Sequence, residues 1–143
     1  MPGDLRVEIV EREDVTVMFK RVADEQSAIT AAWTELEQAV GSLRGRKFYG
    51  VFYDEALLND RAEYHACVQV RDDDNPAKLG LEVGTIPGGR YARVRLEGEP
   101  PAVYSLIAPT LRQLGERPDR DSRRPDIEFY RRQDVIDLLL PVA

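Results

Sequence analysis

The sequence predicts an α+β domain: antiparallel strands layered against two helices, built from two successive copies of one unit. Three observations lead there. The order strand, strand, helix, strand, strand occurs twice, offset by roughly 75 residues. Two stretches carry apolar residues at helical spacing, while the runs around them alternate at the period of a strand. The chain has 143 residues, enough to bury a core without covalent staples, and one domain spanning 1–143 is expected.

In the first copy, about residues 5–71, Arg6-Val7-Glu8-Ile9-Val10 and the run from Val15 to Val22 read as a hairpin's two strands. A polar bend at Arg12-Glu13-Asp14 joins them. Asp24 or Ser27 is placed to cap a helix reaching about Val40, with Ile29, Trp33, Leu36 and Val40 on one stripe. Gly41 and Gly45 end it. Strands from Lys47 to Tyr53 and from Tyr64 to Val70 follow.

The second copy, about 79–143, opens with a strand from Leu79 to Val83 and a Pro87-Gly88-Gly89 turn. The run Arg90 to Leu96 is the hairpin's second strand, broken by Gly98. Pro100-Pro101 start a helix to about Gly115, striped by Val103, Ile107, Leu111 and Leu114. Pro109 predicts a kink or an early stop. The mixed-sign run from Arg117 to Arg124 reads as a solvated loop. Strands from Ile127 to Arg131 and Val135 to Val142 close the chain. Two such copies pair about a pseudo-twofold axis, and their junction is a natural ligand cleft.

A formal charge of −6 argues against affinity for nucleic acid and is mildly favourable for cationic ligands. No apolar run approaches a membrane span and no signal-peptide core is evident, so a cytoplasmic protein without a membrane partner is expected. Cys67 is the single cysteine and His65 the single histidine. They supply no metal set and no nucleophilic triad, and no cofactor is called for.

Pro125-Asp126-Ile127-Glu128-Phe129-Tyr130 places an acid inside an apolar strand. Alternation puts Ile127 and Phe129 on one face, and Glu128 and Tyr130 on the other. Either Glu128 faces solvent, or it is a buried carboxylate with a task, suited to a cationic aromatic ligand.

This layout resembles the GyrI-like effector-binding domain, found in AraC-type and MerR-type multidrug-responsive regulators. Thr85-Ile86-Pro87-Gly88-Gly89-Arg90-Tyr91-Ala92 is similar to the family's turn-and-strand signature. Gly98 matches the glycine closing that strand, and Asp126 to Tyr130 resembles the Glu-x-Tyr strand. Val135 to Val142 resembles the terminal strand ending in Pro-Val, and Phe48 to Asp54 the Gly-x-x-Tyr-Asp strand of the first half. The resemblance implies duplicated βαββ-type modules forming a concave antiparallel sheet of about eight strands with two helices and a central cleft. It also implies binding of hydrophobic, often cationic aromatic compounds, with Glu128 supplying the negative charge. Two features depart from it. With the first strand expected near Arg6, no N-terminal DNA-binding domain is expected, and Ile107 and Leu111 stand where aromatics are common.

The expected ligand-binding residues are Glu128, Tyr130, Trp33, Phe48, Gly50, Phe52, Tyr91 and Tyr104. Trp33 sits on a helical stripe that is either core or cleft wall. Phe48, Gly50 and Phe52 share a face, and Gly50 leaves room for a flat ligand or simply permits close packing. Tyr91 alternates with Arg93 and Arg95, so a partly solvated ring at the cleft edge is expected. Tyr104 flanks the second helix's stripe, and Asp137 is left open between cleft and solvent. The expected function is standalone binding of a hydrophobic, cationic aromatic compound. The alternatives are a hydrolase of reactive cyclopropane-containing natural products, with Glu128 as general base, and a protein-interaction module such as a gyrase inhibitor or regulator partner.

Overall fold

The computed structural model describes residues 6–41, 45–54 and 62–143, and among these eight strands form one antiparallel sheet. They are β1 (Glu8–Arg12), β2 (Val15–Ala23), β3 (Phe48–Tyr53), β4 (Glu63–Gln69), β5 (Glu82–Ile86), β6 (Gly89–Glu97), β7 (Asp126–Arg132) and β8 (Val135–Pro141). Helix α1 (Gln26–Val40) follows β2, and a 3-10 turn at Ala102–Leu106 leads into α2 (Ile107–Leu114). The α+β class and the two-helix, eight-strand layout agree with the sequence.

Strand order is β1-β6-β8-β7-β3-β4-β2-β5. It reads the same from either edge once β1 to β4 are exchanged for β5 to β8, and its centre is the β7–β3 pair.

Neither expected hairpin forms. β1 pairs with β6, whereas β2 pairs with β4 and β5. The register passes unbroken through the bend: Arg12 faces Gly89 and Val15 faces Ile86. β1–β2 and β5–β6 are therefore two long bent ribbons lying side by side. The reason lies in the bend. Asp14 does not close its own turn; its Oδ1 accepts the Gly88 amide of the other ribbon at 2.6 Å. A Cβ at Gly88 would overlap the backbone of Arg12, Glu13 and Asp14, so glycine is what lets the ribbons touch.

Other boundaries also differ. Glu25, not Asp24 or Ser27, is the N-cap of α1, and no side chain caps it, because β2 runs almost directly into the helix. β5 starts at Glu82 because the preceding residues turn tightly, with Leu81 donating to Pro76 O and Gly80 at φ 73. Pro109 does not stop α2, which runs on to Leu114. It is the third residue of that helix, where a backbone N–H has no intrahelical acceptor to lose, and the 3-10 turn precedes it.

Apolar side chains bury the centre of both faces of the sheet. One is filled by strands alone, with Tyr49, Val51, Tyr91, Ile127, Phe129 and Leu139 buried together. On the other, α1 sets Ala32 and Leu36 against Met18, Ala66 and Val68. At its far end Val103, Ile107 and Leu114 pack on Val94, Ile136 and Leu138. The two helical caps leave the central β3–β7 pair between them.

The 117–124 loop is not simply solvated. Arg124 donates to the carbonyls of Gly88, Arg90 and Val142 at 3.3, 3.0 and 2.8 Å. Its guanidinium lies 4.8 Å from the Tyr91 ring centroid, and Asp121 accepts from its Nε at 3.2 Å.

Candidate functional site

Pairing sets Glu128 opposite Gly50 on one side and Leu138 on the other. By alternation the same face carries Phe48 and Phe52 of β3, Tyr64 of β4 and Tyr130 of β7. Trp33 reaches this face from α1, and Tyr104 from the 3-10 turn on the opposite side. The structure thus brings seven of the eight expected residues into one cluster.

Glu128 is 4% exposed. Its Oε1 accepts from Tyr130 Oη at 2.8 Å and from Tyr64 Oη at 3.0 Å. Trp33 Nε1 donates in turn to Tyr64 Oη at 2.9 Å. Rings enclose this chain of donors. Phe48 stacks on Tyr130 at 5.4 Å, and Trp33 meets both edge-on at 5.6 Å. Phe52 meets Tyr64 edge-on at 4.9 Å, and Tyr104 lies 6.4 Å from Tyr130.

Local sequence explains the geometry. Gly50 pairs with Ala66, so two small residues adjoin at the centre of the sheet. Tyr64 leans into that space, and a Cβ at Gly50 would overlap both Tyr64 Oη and Glu128 Oε1. The space expected to hold a flat ligand is filled by this hydrogen bond.

Burial pushes the Glu128 carboxyl up to about 7; the two tyrosine hydrogen bonds oppose that shift, and Asp24 adds to it. No Arg or Lys among the described residues contributes to its titration. Burial, and then the Glu128 charge, raise the hydroxyls of Tyr64 and Tyr130 well above the usual tyrosine range. Both therefore remain protonated donors.

Tyr91 is the exception among the expected residues. It is fully buried on the other face, packed with Tyr49 and Phe129, and its hydroxyl donates to Pro87 O. The flanking arginines of β6 did not mean solvent, because Arg124 covers the ring. Asp137 also lies away from Glu128, holding Arg95 at 2.7 Å. His65 stacks on Phe19 at 4.5 Å, and burial lowers its pKa. Sequence reasoning missed Tyr64 as a partner of the carboxylate. The available signal was a tyrosine two residues from Ala66 on the strand beside Gly50.

The family described as Cass2, integron-associated effector binding protein, matches residues 8–142. No curated protein sequence gives a significant match. Among solved structures, a Vibrio cholerae integron cassette protein, VCH_CASS2, is 18% identical with a TM-score of 0.75, covering 96% of this chain and 95% of that one. SAV2435, solved with tetraphenylphosphonium bound, is 15% identical with a TM-score of 0.74, covering 97% and 94%. A Listeria innocua protein described as a hydrolase is 11% identical with a TM-score of 0.54, covering 99% and 94%. At these identities the likeness establishes a shared fold.

Proposed function

The chain belongs to the family of integron-associated effector binding proteins, a GyrI-like domain, and on that premise we propose that it binds a hydrophobic, cationic aromatic compound at Glu128. The observation that carries this reading is a carboxylate 4% exposed, with no cationic partner among the described residues, inside a shell of aromatic rings. Burying such a charge is unfavourable, and an incoming cation relieves the cost. Each ring facing the cation adds about 0.5–2 kcal/mol. Half-buried Trp33, Phe48 and Tyr130, with exposed Tyr104, form the side through which a ligand enters. The cleft then lies between two pseudo-symmetric halves of a single domain. The strand order, identical from either edge, supports that reading.

Tetraphenylphosphonium is the test ligand, because it is cationic, aromatic and bound by a protein of the same fold. Titration followed by Trp33 fluorescence should saturate. Glu128→Gln should weaken binding by about 1–3 kcal/mol and leave neutral triphenylphosphine oxide unchanged. Affinity for the cation should rise with pH through about 7 in the wild type, as the carboxyl ionises, and stay flat in the variant. Equal losses for both compounds would show that Glu128 shapes the cleft without reading charge.

A second reading is favoured by one observation. A carboxyl near 7 is matched to general-base work at neutral pH, as hydrolysis of a strained three-membered ring requires. Water would lose a proton to Glu128 while its oxygen attacks a ring carbon; the carbon–carbon bond opens with its electron pair passing to a carbonyl conjugated with the ring, whose oxygen then takes up a proton. Consumption of such an electrophile by the wild type, abolished in Glu128→Gln, would place this reading first.

A further inference from the structure

A cavity of about 710 Å³ opens beside Tyr49 and Phe129, on the side of the sheet away from the Glu128 carboxyl, and reaches Tyr130 at its edge. Six basic side chains line it: Arg12, Arg46, Lys47, Arg95, Arg131 and Arg132. Tyr49 and Phe129, stacked at 4.7 Å and largely buried, form its aromatic floor. The guanidinium carbons of Arg12 and Arg131 lie 5.1 and 5.8 Å from the Phe129 ring centroid. In a chain of net charge −6, so many cations in one concavity run against the average.

Carboxylates partly offset this charge, and their placement is informative. Asp137, 1% exposed, holds Arg95 at 2.7 Å and Arg131 at 3.6 Å, so one buried anion positions two guanidiniums. Asp74 grips Arg46 at 2.6 Å, and Asp134 lies 3.8 Å from Arg132. The Arg46 side chain is 8% exposed, and its Nε is buried without an acceptor. Those three acids pair with the cations from behind; among the described residues Glu97 is the one acid in the lining itself. Four carboxylates thus offset six cations, and among the described residues Arg12 and Lys47 have no ion-pair partner. The surplus of two positive charges suits a dianion. Guanidiniums already anchored by Asp137 and Asp74 lose little freedom on binding one.

We propose that this cavity is a second ligand site, for a small organic dianion in which a phosphate or paired carboxylates adjoin a flat apolar group. The anionic end meets Arg12, Lys47 and Arg131, and the flat end lies along Tyr49 and Phe129. The site does not depend on the Glu128 reading. Its lining shares Tyr130 with that cluster but not Glu128 itself, and its charge preference is opposite.

The test is isothermal calorimetry with phenyl phosphate, inorganic phosphate and sodium chloride at matched ionic strength. Phenyl phosphate should saturate and bind about tenfold tighter than inorganic phosphate. The double variant Arg12→Gln/Lys47→Gln should lose about tenfold or more in phenyl phosphate affinity. Its circular dichroism and tetraphenylphosphonium response should stay as in the wild type, which separates a lost site from a lost fold. Glu128→Gln should bind phenyl phosphate normally. Non-saturable heats from phenyl phosphate would overturn the proposal, as would a folded double variant with wild-type affinity. Equal affinity for phenyl and inorganic phosphate would overturn the part played by the aromatic floor.

Discussion

Gly50 and Glu128 face each other across the β3–β7 pair, and the side chain that the glycine lacks is the space the carboxylate occupies. Tyr64 shares that space from β4, so three strands meet at one hydrogen bond. A methyl group at position 50 must displace either the phenol or the carboxylate. Gly50→Ala should therefore cost about 1–3 kcal/mol in urea unfolding and change Trp33 fluorescence, because the indole donates to the displaced hydroxyl.

Stability should depend on pH through Glu128. Its folded-state value of about 7 lies above the ordinary 4.5, so between those limits the folded protein binds more protons than the unfolded chain. The contribution is complete below the unfolded value and is lost as pH rises through about 7. Unfolding free energy should fall across that window by at most about 3 kcal/mol. Urea denaturation at stepped pH should show the decline in the wild type and a flatter profile in Glu128→Gln. The variant should be as stable as the wild type or more so above neutrality.

The Arg124 clasp should be a stability determinant remote from the Glu128 cluster. It satisfies carbonyls on three segments and covers Tyr91. Arg124→Ala should cost about 2–3 kcal/mol, since it leaves partly buried acceptors without a donor. Arg124→Lys should recover only part of this, because an ammonium lacks the planar fork. Tetraphenylphosphonium affinity at a temperature where both variants are folded should be unchanged.

Much of this was legible in the sequence where local periodicity decides the outcome. The helical stripes Ile29, Trp33, Leu36, Val40 and Val103, Ile107, Leu111, Leu114 all pack inward. Alternation correctly separated Glu128 and Tyr130 from Ile127 and Phe129. What failed was information carried between distant segments. A bend of Glu13-Asp14 looks the same whether the chain folds back or continues, and only contact with Gly88 decides it. Tyr91 was misplaced because its cover, Arg124, is remote in sequence, and Tyr64 was missed because its role appears only once β4 lies beside β3.

The crossed ribbons make the two halves of the chain mutually incomplete. β1 has its hydrogen-bonded neighbour in β6, and β5 has its neighbour in β2, so each half donates an edge strand to the other. A chain severed near residue 75 would give one piece with β2 stripped of an outer partner and another with β6 likewise bare. Exposed strands of that kind recruit whatever strand is at hand, and here the best-fitting one is the missing half. The interlock ties the flanks of the sheet to the central pair that holds Glu128, so the cluster around that carboxyl is assembled only when the whole chain is. Closing pairs as distant as Glu8 with Arg93 should make folding slow, because the chain between them is ordered before the contact rewards it.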